Sequence, residues 1–225
     1  MLDTFCVFIS DLVESTRNAI DDKTGYQMIK NRYYAWRKMF YQKNHLLDEK
    51  EVMGLLGELL FLRDTIIPLC GSLRALASWS GQEKTKKDFS LDQTWYEVKT
   101  IHYGKESVRI SSLEQLDSNV VGHLIVYQLE KMSQAFDGLR LNSLCRSILK
   151  TLNSDESRDV FIEKLADSGF TFESAYDEYV YEVKMVNSYT VNESFPKLKK
   201  DIIPEGISKV QYDLLLATIV QFKEY

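Results

Sequence analysis

A predicted β-hairpin over residues 88–101 constrains the fold of this chain more than any other feature. Trp95–Ile101 is rich in aromatic and β-branched residues, as strands are, and Asp88–Leu91 can form the strand before it. With Asp92-Gln93 as a two-residue turn, counting outward places Asp88 opposite Glu97. Because facing carboxylates repel each other across a ladder, this register predicts a cation between them.

Around this hairpin, three acids and a lysine have the chemistry of a metal-dependent phosphodiesterase site. Side chains alternate between the two faces of a strand, so Glu97 and Lys99 share one face. Asp88 faces them from the first strand, and Glu58 precedes the hairpin in an apolar segment. Because no Cys or His cluster accompanies these carboxylates, the pattern favours a hard, oxygen-liking ion. Mg2+ is the first choice, with Mn2+ as its substitute.

The first of these acids lies in a helix that the apolar pattern predicts over Glu51–Ile67. Apolar side chains cover most of its sides, so the helix is expected to be buried, and Pro68 and Gly71 are expected to end it. Gly54 and Gly57 each cost a helix about 1 kcal/mol relative to Ala. Their presence therefore indicates the close approach of another backbone.

An acid on a helix, an Asp that opens a hairpin and Glu-x-Lys on the next strand together resemble the PD-(D/E)XK nuclease superfamily. More narrowly, the chain resembles the bacterial PD-(D/E)XK motif proteins of restriction and phage-defence gene clusters. Five segments carry this resemblance: Gly54–Leu59, Trp79–Gly81, Lys87–Phe89, Glu97–Thr100 and Ser112–Leu116. The family name implies a Pro before the Asp, where this chain has Lys87, a departure that is common in the superfamily.

The resemblance implies an α/β fold. Its centre would be a restriction-endonuclease-like core, a mixed β-sheet flanked by helices, over residues 51–130, where the resemblance is densest. An N-terminal helical segment (residues 1–50) would precede the core. A C-terminal helical and strand extension (residues 131–225) would follow it.

The resemblance also implies roles for individual residues. Asp88 and Glu97 would bind the metal, and Glu58 would contribute directly or through a bound water. Lys99 would orient the attacking water or help deprotonate it, and would steady the charge on the phosphate. Because the neighbouring carboxylates oppose loss of its proton, the orienting and electrostatic role is favoured over that of general base. Gln115 resembles the superfamily's additional polar residue near the site.

Structural interpretations compete with these roles. Glu-x-Lys on a strand is often a solvated face with a cross-strand ion pair, and Tyr181–Lys184 repeats the letters of Tyr96–Lys99. This second copy has no Asp in hairpin register before it, so it is expected to be surface strand. Ser112-x-x-Gln115 has the spacing of a capping box, so Gln115 could cap the helix that starts at Leu113 instead of serving catalysis.

The net charge of −5 opposes DNA binding, because such proteins gain affinity from Lys and Arg side chains that neutralise phosphates. Local clusters weaken that objection. Lys84, Lys86 and Lys87 stand directly before Asp88, and Lys197–Lys200 lies near the C-terminus. Each cluster fits either phosphate contact or ordinary solvation, so charge does not decide the matter.

The rest of the pattern predicts helices and strands on both sides of the hairpin. Residues 4–48 are expected to form two helices with an aromatic-rich face, which either stacks on nucleic acid or packs on the core or a dimer partner. Downstream, the predicted elements are strand 106–111, helix 112–118, strand 120–130, helices 139–152 and 155–167, and strand-like sequence at 179–191 and 206–220.

Cysteine usage and apolar patterning point to a cytoplasmic protein. Cys6, Cys70 and Cys145 are odd in number and widely spaced, which argues against a disulfide framework and for a reducing compartment. Leu2-Asp3-Thr4 lacks the basic start of a signal peptide, and no apolar run approaches membrane-spanning length. We therefore expect no membrane partner.

These interpretations together predict a metal-dependent DNA endonuclease that hydrolyses phosphodiesters with metal-activated water. Its setting would be a prokaryotic restriction-modification or phage-defence system, with DNA and other proteins of a defence operon as partners. Cutting both strands with one site per chain favours a homodimer. The alternative is an inactive nuclease-fold subunit that binds nucleic acid or scaffolds a defence complex. Cleavage of RNA or of a nucleotide is a third interpretation.

Overall fold

The computed structural model describes residues 2–17, 19–41, 46–80 and 87–224. Its helices are α1 (Leu2–Thr16), α2 (Asp22–Phe40), α3 (Glu49–Phe61), α4 (Ile67–Cys70), α5 (Ser72–Ser78), α6 (Leu141–Thr151) and α7 (Asp155–Asp167). Its strands are β1 (Phe89–Leu91), β2 (Thr94–His102), β3 (Ser107–Ile110), β4 (Gly122–Met132), β5 (Val180–Val191) and β6 (Tyr212–Leu215). None of the helices in these ranges is both long and apolar enough to cross a membrane.

The main sheet is mixed, with the strand order β1-β2-β4-β5. Strand β2 runs parallel to β4, whereas β1 is antiparallel to β2 and β5 is antiparallel to β4. Between β2 and β4 the chain leaves the sheet to form β3, which pairs with β6 in a separate two-stranded sheet. Helices flank the main sheet, so the predicted α/β architecture is confirmed.

The hairpin has the register that the sequence predicts. Leu91 pairs with Thr94, as a two-residue turn requires. Counting outward along the ladder puts Asp88, one residue before β1, opposite Glu97. The strand pairing is thus confirmed, and Asp88 stands where the ladder opens.

Helix α3 starts earlier than predicted and leads into a second helical segment. Asp48 and Glu51 form a reciprocal capping box that fixes the start of the helix. Pro68 was predicted to end the helix, but it lies in the first turn of α4, after a π-helical turn over Leu62–Ile66. A proline is tolerated there because its missing N–H and its ring do least harm in a first turn. Gly71, with φ of 79°, ends the helix as predicted.

The main sheet separates two apolar cores. Successive residues of β4 alternate between them: Ile125 packs in the larger core, and Leu124 and Val126 pack in the smaller one. The larger core includes residues of α2, α3, α5, α6 and α7. The smaller core includes residues of β3 and β6. Both faces of the central strands are therefore covered, and polar side chains on these strands become buried.

The aromatic face of α2 is divided between the core and solvent. Trp36 and Met39 are fully buried, whereas Tyr33, Tyr34 and Tyr41 are exposed. Packing on the core is therefore confirmed for part of this face. Stacking on nucleic acid or packing on a dimer partner by the exposed tyrosines stays a prediction.

Two predicted elements are shorter in the structure. The helix expected over 112–118 is a 3₁₀ turn at Leu113–Gln115, because the chain must enter β4 at Gly122. Of the strand-like stretch 206–220, only β6 forms a strand, and all four of its residues pair with the four of β3. The division of the chain into three segments stays a prediction. Strand β5, from the predicted C-terminal extension, belongs to the same sheet as the hairpin.

Candidate active site

Strand β2 carries an ion pair into the protein interior. Glu97 has no solvent exposure, and Lys99 Nζ lies 2.7 Å from its Oε1. Both residues share a face of β2 with Trp95 and Ile101, which pack in the smaller core. The other carboxylate oxygen, Glu97 Oε2, is buried and has no hydrogen-bond partner among the described residues. Because an unsatisfied buried acceptor is costly, this oxygen would gain from a ligand.

Backbone hydrogen bonds hold Asp88 at the open end of the hairpin. The Val98 N–H donates to Asp88 Oδ2 at 2.7 Å, which fixes the side chain against β2. The Ser80 N–H donates to the Asp88 carbonyl oxygen at 2.9 Å. The residue is therefore fixed from β2 on one side and from the segment after α5 on the other.

Glu58 reaches the hairpin because α3 packs closely on β2. A Cβ atom on Gly57 would lie 2.0 Å from Thr100 Oγ1, so this approach requires glycine. The indole N–H of Trp79 donates to Glu58 Oε2 at 2.7 Å. A close approach does occur at Gly57, but the side chains of Thr100 and Val98 make it and not the predicted backbone. At Gly54 that prediction is wrong, because a Cβ there would meet nothing within 4 Å.

Burial and mutual repulsion make the three carboxylates hard to ionise. Burial, and then repulsion from Asp88, raises the pKa of Glu58 and of Glu97 to about 8. Burial also raises the pKa of Asp88, against the attraction of Lys99. Part of Glu58 stays accessible, but protein atoms surround its carboxyl group closely enough to displace most water. A nearby cation would favour the charged form of all three.

Lys99 keeps its proton in this setting. Burial opposes the ammonium form, but the carboxylates of Glu97 and Asp88 outweigh it and raise the pKa of Lys99. A lysine with a raised pKa is a poor general base near neutral pH. The electrostatics therefore support an orienting role over proton abstraction.

The donor atoms at this site fit a hard divalent cation in their chemistry. They are all carboxylate oxygens, and one of them, Glu97 Oε2, is buried without a partner among the described residues. In the same part of the chain, no three Asp, Glu, His or Cys side chains converge into a formed metal-binding group. The predicted ligands Glu58, Asp88 and Glu97 therefore affect one another's ionisation, but their oxygens do not converge on one point.

Gln115 closes its own turn. Its Oε1 accepts a hydrogen bond from the Ser111 N–H at 2.7 Å, whereas Ser112 makes no side-chain capping bond. The capping box predicted between Ser112 and Gln115 therefore does not form, and Gln115 bonds instead to the backbone of the residue before Ser112. Lys87 Nζ donates to the Gln115 carbonyl oxygen at 2.9 Å and lies 3.5 Å from the centre of the Trp95 ring. A catalytic role for Gln115 stays a prediction.

The second Tyr-Glu-Val-Lys sequence forms ion pairs at the surface. Lys184 Nζ lies 2.8 Å from Glu182 Oε2 and 2.9 Å from Glu130 Oε2, and both carboxylates are exposed. The prediction of a solvated strand with a cross-strand ion pair is confirmed. The same four letters therefore occupy two different environments in one chain.

Among the described residues, the histidines and cysteines do not join the cluster of acids. His102 is exposed, and His123 stacks on Tyr96 with ring centres 5.0 Å apart and its Nδ1 2.7 Å from Glu224 Oε1. The cysteines are free, as expected: Cys6, Cys70 and Cys145. Three residues named in the sequence analysis lie outside the described residues: Gly81, Lys84 and Lys86.

Two residues of the site received no role from the sequence. Trp79 holds Glu58 through its indole, and Lys164 Nζ donates to the Trp79 carbonyl oxygen at 2.5 Å. Trp79 lies in one of the segments that carry the family resemblance, which was the available signal. No sequence signal pointed to Lys164, because Trp79, whose carbonyl oxygen it contacts, lies 85 positions away in the chain.

Comparison with known proteins identifies a matching family. The family model described as "Putative PD-(D/E)XK family member, (DUF4420)" matches residues 1–217. No curated protein and no solved structure matches the chain.

Proposed function

This chain belongs to the PD-(D/E)XK family DUF4420, and on that premise we propose that it is a metal-dependent endonuclease that hydrolyses DNA. The observation that carries the proposal is the Glu97 carboxylate. One of its oxygens meets Lys99 at 2.7 Å, and the other is buried without a partner among the described residues. Two further acids lie close enough to affect this pair: Asp88 raises the pKa of both Glu97 and Lys99, and Glu58 raises the pKa of Lys99. A purely structural ion pair has no need of this arrangement, as Glu182 and Lys184 show.

In the proposed reaction, Lys99 and the carboxylates act on the scissile phosphate and on water. A divalent cation bound by Asp88 and Glu97, with Glu58 directly or through water, would lower the pKa of water and stabilise charge on the phosphate. Lys99 would hold a phosphate oxygen or the attacking water by donating from its charged ammonium. Glu97 fixes the position of that ammonium at 2.7 Å, so the donor is already oriented before substrate arrives.

Plasmid cleavage tests the proposal. Purified wild-type protein is incubated with supercoiled DNA and Mg2+ or Mn2+, beside Asp88→Ala and an EDTA control. We expect cutting that requires the cation and disappears in the variant. Cation-independent cutting, or equal cutting by Asp88→Ala, would contradict the assignment.

We place this activity in a prokaryotic restriction or phage-defence system, on the strength of the sequence resemblance. Two copies of the chain would suit cleavage of both DNA strands, since the two-fold axis of a homodimer matches the pseudo-two-fold symmetry of the DNA backbone. Three exposed tyrosines, Tyr33 and Tyr34 of α2 and Tyr41 directly after it, are available for contact with a partner. Sedimentation of the protein with and without duplex DNA measures both associations.

A second candidate function is an inactive subunit that scaffolds a defence complex or binds nucleic acid. The observation in its favour is that Lys99 Nζ already occupies Glu97 Oε1 at 2.7 Å, while the raised pKa of Glu58 lets that side chain stay protonated near neutral pH. Thermal unfolding with Mn2+ separates the two functions. A cation that stabilises wild type but not Asp88→Ala supports the nuclease, and no stabilisation of either supports the scaffold.

A further inference from the structure

Glu58 is joined to the rest of the site through one dipeptide, Trp79-Ser80. The Trp79 indole donates to Glu58 Oε2 at 2.7 Å, and the Ser80 N–H donates to the Asp88 carbonyl oxygen at 2.9 Å. Trp79 also forms a β-bridge with Phe89, the first residue of β1. Two of the predicted metal ligands, Glu58 on α3 and Asp88 at the hairpin, are therefore both hydrogen-bonded to this dipeptide.

The Trp79 side chain cannot easily move. It is fully buried, and its ring centre lies 6.2 Å from that of Phe161 on α7. Its backbone is fixed as well, because Lys164 Nζ, also on α7, donates to its carbonyl oxygen at 2.5 Å. An indole N–H only donates, so the group that Trp79 offers to Glu58 has one polarity and one direction.

The bond to Trp79 matters because its donor belongs to a side chain that is itself fixed by burial. The indole N–H therefore sets where the Glu58 carboxyl group lies. Because the indole engages Oε2, it restricts the orientation of the carboxyl group, and Oε1 is the oxygen that would meet a cation.

We infer that Trp79 is a positioning residue, which sets the orientation of Glu58 for cation binding and is itself anchored from α7 by Lys164. This inference rests on the proposed metal-dependent function. It goes beyond the ligand assignment, because the orientation of Glu58 is attributed to a residue that touches neither cation nor substrate. Partners of this kind around metal ligands typically change metal affinity by about 10- to 100-fold.

The chain contains a matched control for the test. Trp36 is also fully buried, and its indole donates to the Asp11 carboxylate at 2.8 Å, in the N-terminal helices. Trp79→Phe and Trp36→Phe therefore remove the same kind of bond and about the same volume. Mn2+ affinity is measured by calorimetry on wild type and on both variants. We expect about tenfold weaker binding for Trp79→Phe and unchanged binding for Trp36→Phe.

A double-mutant cycle separates positioning from general damage. If Trp79 acts through Glu58, then Trp79→Phe should weaken Mn2+ binding in wild type but cause no further loss in Glu58→Ala. Further loss in that background, or no loss in wild type, would overturn the inference. If Trp79→Phe does not fold, Lys164→Met replaces it in the same cycle, with a loss of several-fold expected. Wild type that binds no Mn2+ at all would overturn the metal-dependent function together with this inference, whereas normal wild-type binding with an unaffected Trp79→Phe overturns this inference alone.

Discussion

Lys99 Nζ lies 2.7 Å from Glu97 Oε1 inside the protein, where the Glu97 side chain has no contact with solvent. Lys184 makes a bond of nearly the same length, 2.8 Å, to Glu182 at the surface. We expect Lys99→Ala to abolish DNA cleavage and Lys184→Ala to leave it unchanged, because only Lys99 lies beside the predicted ligands. The measurement is the initial rate of plasmid nicking at saturating Mg2+.

Folding has to be checked in the same pair, since Lys99→Ala removes the hydrogen-bond partner of the buried Glu97 carboxyl group. Circular dichroism at the assay temperature serves as that check. Equal loss of cleavage in both variants, with both folded, would remove the distinction between the two Glu-x-Lys sequences.

The raised pKa of Glu97 predicts how the stability of the cation-free protein depends on pH. Its folded pKa is about 8, against an ordinary value of 4.5, so the folded state holds this proton more tightly than the unfolded state does. Stability therefore falls as pH rises from about 4.5 to about 8, where the unfolded chain has released the proton and the folded chain has not. Glu97→Gln cannot lose a proton there and should show a flatter profile.

Urea unfolding of the EDTA-treated protein at several pH values measures this profile. Saturating Mn2+ should offset the loss at high pH, because a cation binds the ionised carboxylates. A wild-type profile that is flat between pH 5 and pH 8, or as steep in Glu97→Gln, would show that Glu97 ionises normally in the fold.

The local parts of the site could be predicted from the sequence. Hairpin register follows from a two-residue turn and from side chains that alternate along a strand, so the pairing of Leu91 with Thr94 and the place of Asp88 at the open end of the ladder required only counting. The difference between Glu97 and Glu182 could also be anticipated, because it depended on an Asp at hairpin spacing. Both arguments use contacts between neighbours in sequence or across one turn.

The parts that could not be predicted depend on contacts between distant segments. Lys164 meets the Trp79 carbonyl oxygen because α7 packs beside α5, and no spacing rule connects them. The continuation of the helical path through Pro68 required a π-helical turn that apolar periodicity does not reveal. The 3₁₀ turn at Leu113–Gln115 likewise follows from where β4 begins. All three features, the Lys164 contact, the π-helical turn and the 3₁₀ turn, depend on tertiary structure.

The two glycines of α3 should respond in opposite ways to alanine. At Gly57 a Cβ would lie 2.0 Å from Thr100 Oγ1, so Gly57→Ala should destabilise the fold by about 1–3 kcal/mol through overpacking. At Gly54 nothing lies within 4 Å, so Gly54→Ala should stabilise it by up to about 1 kcal/mol through helix propensity. The midpoints of urea unfolding of the two variants measure both changes in stability. Adding Thr100→Ala should recover part of the loss in Gly57→Ala, and a lack of recovery would place the strain elsewhere.

A buried arginine ties the N-terminal helices to α7. Arg32 is almost fully buried, and its guanidinium lies 2.7 Å from Asp155 Oδ1, 2.7 Å from Asp159 Oδ1 and 3.2 Å from Asp11 Oδ2. Arg32→Met keeps much of the volume but takes from three acids the guanidinium that they share, although Asp155 keeps a longer contact of 3.8 Å with Arg158. Because these acids keep some access to water, we expect a loss of about 3 kcal/mol, at the low end for a broken buried pair. Lys38→Ala breaks the exposed pair with Asp167 on the same two helices and should cost about 1 kcal/mol or less. Urea unfolding that finds equal losses in the two variants would mean that Arg32 contributes no more than a surface pair.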